Sequence, residues 1–197
     1  MSRVARYKLG YVAVFVVVLL LCLLILYLGN WNVRIALAVA LVVFLPGRIQ
    51  GLLFRDLFRG RVELDRNNPS AALSHFERFL LLVQSQPWRK PALWLSWSTY
   101  TPNVEAMTLN NIGSAHLALG NEGAAIDAWR RALELDRLYP IPLVNLSVVE
   151  EARGSTARAA ECLSEARRLG YSGAPLDRAI HAAQRLLPRI ESKGPAL

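Results

Sequence analysis

The chain has 197 residues, a hydrophobic content of 53% and a formal net charge of +8, with a mean hydropathy of +0.26. Its length allows one ordinary domain with appendages, and so large an apolar excess does not fit a typical soluble domain. The charge excludes a nucleic-acid binder rather than marking one. Residues 1–61 hold eight basic groups against the single acid Asp56, while the remainder carries 15 basic and 14 acidic groups and has no basic face for a polyanion.

In chain order, residues 1–8 form a basic flank with Arg3, Arg6 and Lys8. Leu9–Leu28 is an uncharged run of 20 residues; at ~1.5 Å per residue it makes a helix of about 30 Å, the thickness of a bilayer core. A cleaved signal peptide fits less well, because the run outlasts a usual signal core and Leu28-Gly29-Asn30-Trp31 lacks a small-x-small cleavage pattern. Gly29–Asn32 is expected to turn the chain into a second span, 31–54, with Trp31 at headgroup level. The apolar centre of this second span, Ile35–Leu45, has only 11 residues between Arg34 and Arg48. It reaches across if both arginines run their stems along the helix, with a kink at Pro46; a re-entrant or interfacial segment is the alternative. Arg3, Arg6 and Lys8 before the first span, and Arg48, Arg55, Arg59 and Arg61 after the second, place both ends in the cytoplasm by the positive-inside rule. Ile49–Phe58 has amphipathic helical spacing and is expected to pack on the body or lie on anionic lipid.

Residues 55–86 complete a juxtamembrane helix and a partial repeat, turned by Asn67-Asn68-Pro69, with Asp56 and Arg59 at expected core positions. An insertion, 87–105, carries Trp88, Trp94, Trp97 and Tyr100 together with Arg89 and Lys90. Two full repeats follow, 106–139 and 140–173, then a cap helix, 174–190, with Leu176, Ile180, Ala183, Leu187 and Ile190 on one face, and a tail, 191–197. Cys22 and Cys162 fall on separate helices and do not pair. Arginine outnumbers lysine 20 to 3, a compositional hint of a GC-rich bacterial genome.

The repeats have a period of 34: Leu109, Ile112, Gly120, Ala125 and Ala132 recur as Leu143, Leu146, Gly154, Ala159 and Ala166. The first copy reads Leu109-x2-Ile112-Gly113-x2-His116, then Gly120, Ala125-x3-Trp129 and Ala132. The second reads Leu143-x2-Leu146-Ser147-x2-Glu150, then Gly154, Ala159-x3-Leu163 and Ala166. This pattern resembles the tetratricopeptide-repeat (TPR) family, specifically over 106–173 and more loosely over 53–190. His116 and Glu150 replace the family's tyrosine, Ser147 its glycine, and Arg137 and Tyr171 its late proline. The resemblance implies an all-α protein: an N-terminal transmembrane hairpin, then a short TPR-like solenoid closed by a cap helix.

No constellation for catalysis is present. His75, His116 and His181 lie on separate predicted helices without metal-ligand neighbours. Gly170-Tyr171-Ser172-Gly173 lacks the nucleophile-elbow spacing, and no phosphate-binding glycine loop occurs. The expectation is therefore no enzyme, no cofactor, no metal, no small-molecule substrate and no nucleic acid, with one or more proteins as partner. In the family the first helix of each repeat lines a concave groove. By helical spacing that implies Met107, Asn110, Ser114 and Leu117, then Ile141, Val144, Val148 and Glu151, a mixed and largely apolar surface suited to an extended or helical segment rather than to an acidic tail. Trp88, Trp94, Trp97 and Tyr100 form a second candidate interface, for a partner or for lipid headgroups. The expected role is a scaffold that recruits a protein to the cytoplasmic face of a bacterial inner membrane. The alternative is a structural subunit docked into a larger membrane complex through its hairpin and tryptophan-rich insertion.

Overall fold

The computed structural model describes residues 3–30, 32–95 and 100–186. Among them all regular structure is helical. Trp31, Trp97, Leu187, Ile190 and the tail 191–197, singled out in the sequence, lie outside the described residues.

Two long apolar helices come first, α1 (Arg3–Leu28) and α2 (Val33–Leu53). The connection uses the positive φ of Asn30, +48°, a conformation asparagine tolerates better than most residues. Asn32 then caps α2 by accepting the Arg34 N–H at 2.9 Å, as an N-cap side chain does. Leu9–Leu28 and Val33–Leu53 are each long and apolar enough to cross a membrane, by length and composition. Most of their described side chains stay uncovered, with Phe44 at 71% exposure, while Cys22 and Gln50 are buried.

After Phe54 the chain builds three helical hairpins: α3 (Arg55–Asp65) with α4 (Pro69–Ser85), α5 (Val104–Ala118) with α6 (Glu122–Leu135), and α7 (Pro140–Ala152) with α8 (Thr156–Arg168). A final helix, α9 (Ala174–Gln184), packs on α7. Each hairpin closes in the same way. The first helix ends on a residue of positive φ: Asn67 at +67°, Gly120 at +77° and Gly154 at +75°. The next N–H reaches back five residues: Asn68 to the Glu63 carbonyl at 2.8 Å, Asn121 to His116 at 2.9 Å, and Ser155 to Glu150 at 2.8 Å. These bonds satisfy carbonyls that a helix end leaves open.

Inside the hairpins a small residue meets a large one. A Cβ on Gly60 would stand 2.5 Å from the Phe76 ring, and one on Gly113 would overlap the Trp129 indole. Both rings are completely buried. The third hairpin has Ser147, buried, and Leu163, partly buried, at the equivalent positions. Ala72, Ala125 and Ala159 are all buried where the helices approach, because larger side chains would hold the backbones apart.

The first hairpin is thus more complete than its sequence promised. Gly60 and Gly113 are 53 residues apart, one 34-residue period plus the 19 residues of the insertion. In that register Asn67 stands for Gly120, while Asp56 and Arg59 fall on the positions of the buried Leu109 and Ile112, and Leu57 and Gly60 carry the core of this helix instead. Asp56 instead sits half-buried between helices, its Oδ1 2.9 Å from His75 Nδ1 and 3.9 Å from an Arg78 nitrogen; Arg59 is exposed. The amphipathic helix expected over 49–58 is likewise divided. Phe54 leaves helical geometry (φ −108°, ψ 22°) and drives its ring into the core, 5.1 Å edge-on from Phe79. The end of α2 is thereby rooted in the first hairpin.

The insertion folds as a 3-10 helix, Pro87–Leu95. Ala92 and Leu93 are buried, and Gln50 of α2 donates its side-chain N–H to the Ala92 carbonyl at 3.2 Å. Arg89 donates to the Leu53 carbonyl at 3.4 Å, and Lys90 pairs with Glu105 of α5 at 2.6 Å. The Lys90 ammonium holds the Glu105 carboxyl below its usual range.

The interlock makes an asymmetric prediction. Gly113→Ala pushes a methyl into the Trp129 indole and should cost about 1–3 kcal/mol by overpacking. Gly123→Ala, whose Cβ meets nothing within 4 Å, should be neutral or stabilising by up to ~1 kcal/mol. Thermal unfolding of the two variants beside the parent checks the pair.

Candidate partner-binding groove

The first helices of the hairpins share one side of the solenoid, and their equivalent positions open into one cavity of about 510 Å³. Phe54, Met107 and Ile141 contribute at one position; Phe58, Asn111 and Asn145 at the next but one groove-facing position. Arg61 and Ser114 form another equivalent pair, and Leu57 matches Asn110. The far wall is α9, through Pro175, Arg178, Ala179 and Ala182. Tyr100, Thr101, Tyr139 and Tyr171 complete the lining.

Four of the residues read from helical spacing therefore line the cavity: Met107, Asn110, Ser114 and Ile141. The other four do not. Leu117 is fully buried with Ala125, Ile126, Trp129 and Val149, so it joins the core between the second and third hairpins. Val144 is fully buried with Ala166, Tyr171 and Leu176, and Val148 is buried too. The physical reason is the cap: α9 packs on α7 and covers the third repeat's share of the surface, presenting its own side chains instead. Glu151 is exposed but lies outside the cavity lining.

The floor is a buried polar bridge. Asn145 donates from Nδ2 to Asn110 Oδ1 at 2.9 Å, and the Asn110 carbonyl accepts the Trp129 indole N–H at 3.1 Å. Both asparagine side chains are buried, so these bonds join the second hairpin to the third and hold the floor rigid. Removing one partner leaves the other unsatisfied, at a cost of about 1–3 kcal/mol. Asn110 is thus a structural element of the groove more than a contact offered to a ligand.

The lining includes arginine but neither aspartate nor glutamate. Arg61 on α3 and Arg178 on α9 are both exposed, leaving the cavity with positive charge on two walls. Neither belonged to the predicted set. Arg61 was legible only once the insertion is counted into the period, which makes it the equivalent of Ser114; Arg178 lies on the cap, outside the repeat register. The lining tyrosines are part of the core as well. Tyr100 meets Tyr171 edge-on at 4.7 Å, so the insertion's end closes against the end of the third hairpin. Burial, with the Tyr100 ring beside it, pushes the Tyr171 phenol up to about 12 against the pull of Arg178. Desolvation raises Tyr139 in the same direction.

In the second candidate interface, Trp88 and Trp94 are 63% and 59% exposed, with the Arg89 guanidinium 4.8 Å from the Trp88 ring centroid. Tyr100 is half-buried on the groove side. Among the described residues no group of three or more His, Cys, Asp or Glu side chains is arranged to hold a metal ion.

No protein-family model matches the sequence. Two curated proteins are similar to part of it, both named Photosystem I assembly protein Ycf3. The one from Prochlorococcus marinus strain MIT 9313 is 35% identical over 69 residues, and the one from strain MIT 9303 is 33% identical over 69 residues. The matched stretch covers 35% of this chain and 40% of each relative, and its length is close to two 34-residue repeats.

Tyr171 gives this site a pH signature. A phenol with a raised folded-state pKa keeps its contribution to stability below the unfolded value and loses it as pH rises. Phenolate absorbance should show Tyr171 ionising near pH 12 rather than 10, with unfolding favoured progressively across that window. Tyr171→Phe should remove that late phase of the titration.

Proposed function

We propose that the chain is a membrane-anchored adaptor whose groove holds a segment of a protein partner at the cytoplasmic face. The carrying observation is the acid-free lining with Arg61 and Arg178 on opposing helices. Such a cavity favours a segment with an acidic side chain or a carboxylate between apolar residues, since exposed arginines bind carboxylates as two-pronged donors. The apolar flanks, Phe54, Met107 and Ile141, suit the segment's neighbouring side chains. The asparagine bridge and the interlocked hairpins keep the groove preformed, which lowers the ordering cost of binding.

The anchor is α1 with α2, two apolar helices whose uncovered side chains call for an apolar surrounding. The basic residues after α2 support a cytoplasmic body. The relatives are named for photosystem I assembly, and we extend an assembly role to this chain: its partner belongs to a complex built in or on the same membrane. A structural subunit reading remains favoured by one feature, the tryptophan-bearing insertion fixed to the end of α2. The two readings separate by which surface the partner needs.

The test is co-purification of the tagged full-length protein in mild detergent beside an Arg61→Glu/Arg178→Glu variant. Both side chains are exposed, so the double charge reversal leaves the fold intact, with unchanged helical content and melting as the control. The adaptor reading expects a partner with the parent chain and its loss, tenfold or more per removed contact of ~1.4 kcal/mol, with the variant. A partner retained equally by both would shift the docking surface to the hairpin and the insertion. Val148→Arg is unsuitable for such a test, because Val148 is buried and an unpaired buried charge destabilises the fold.

A further inference from the structure

We infer that the 3-10 helix Pro87–Leu95 is an interfacial foot, seating Trp88 and Trp94 in the headgroup region of the bilayer that α1 and α2 cross. This rests on the membrane-spanning reading above and adds a second, independent contact between body and lipid. The geometry carries it through depth. The Gln50 side chain, bonded to the Ala92 carbonyl at 3.2 Å, lies 17 residues beyond Val33, the start of α2. At ~1.5 Å per residue the foot therefore sits about 26 Å along the span, close to the ~30 Å thickness of a hydrocarbon core. Arg89, bonded to the Leu53 carbonyl, fixes the same level from the other end of the contact.

At that level indole is the favoured side chain, since its apolar body and polar N–H match the water–lipid boundary. Trp88 and Trp94 are more than half exposed, whereas Ala92 and Leu93 between them are buried. The short helix thus turns its small and aliphatic residues to the body and its two indoles outward. Leu52, 73% exposed on the same last turn of α2, continues the apolar surface from the span toward the foot. Arg48, exposed one turn earlier, brings positive charge to the anionic headgroups by running its stem along the helix. A lateral foot locked to the end of α2 resists rotation of the body against the bilayer and sets the direction in which the groove opens.

The test reconstitutes the full-length protein in vesicles of phosphatidylcholine and phosphatidylglycerol carrying bromine either near the glycerol end or near the methyl end of the acyl chains. Tryptophan quenching is compared for the parent and for Trp88→Ser/Trp94→Ser. The difference signal should be blue-shifted and quenched mainly by the glycerol-end bromines. A Gln50→Ala variant, which releases the foot while keeping both indoles, should weaken that quenching. Extraction with alkaline carbonate is run on the same vesicles. Protein that resists extraction but whose difference signal is red, unquenched and water-exposed would overturn the foot while leaving the spans standing; the insertion would then face water, where a protein subunit could dock. Release of the protein by carbonate would overturn the spans and the foot together.

Discussion

The fold turns on the contact between a glycine of one helix and an aromatic ring of the next. Gly60 under Phe76 and Gly113 under Trp129 let paired helices approach until the rings are sealed from water. Burying a side chain of this size contributes on the order of 2–3 kcal/mol, and the close approach brings α3, α5 and α7 to one side of the solenoid. The groove is a by-product of that ordering. Trp129 ties the two levels together, because its indole N–H is satisfied by the carbonyl of Asn110, whose side chain forms the floor with Asn145.

The same logic explains how the body is joined to the apolar hairpin. Phe54 is the last residue of α2's path and one of the most buried side chains of the first hairpin, so α2 and the solenoid share a side chain rather than a linker. The 3-10 helix reinforces the joint from the side through Gln50, Arg89 and the Lys90–Glu105 pair. A loop of that length has no need to fold against its neighbours; here its polar anchors lie on two helices, α2 and α5.

Much of this was legible in the sequence. Periodicity of small and apolar residues is a property of the chain itself, so the hairpins, their glycine stops and the apolar helices follow from spacing. The groove was half legible. Met107, Asn110, Ser114 and Ile141 line it, as their register implies, but Val144 and Val148 do not, because the register of one repeat says nothing of how α9 will cover it. Leu117 went inward because a repeat's last turn packs between Trp129 of its own hairpin and Val149 of the next. The first hairpin reads as degenerate because, with Gly60 matched to Gly113, Asp56 and Arg59 fall on the positions of Leu109 and Ile112; the same register puts Asn67 on the glycine position and Arg61 on the groove. Arg178 and the tyrosine pair depend on tertiary docking, for which the sequence carries no period.

Site-specific photo-cross-linking in native membranes is the most direct test of the groove as the working surface. A photoreactive residue would replace Ser114 or Ala182 inside the cavity lining, and Glu134 on the exposed outer face of α6. A working groove gives the same discrete adduct from Ser114 and Ala182, lost with Arg61→Glu/Arg178→Glu, and none from Glu134. Adducts of equal yield from all three positions, or from Glu134 alone, would contradict it.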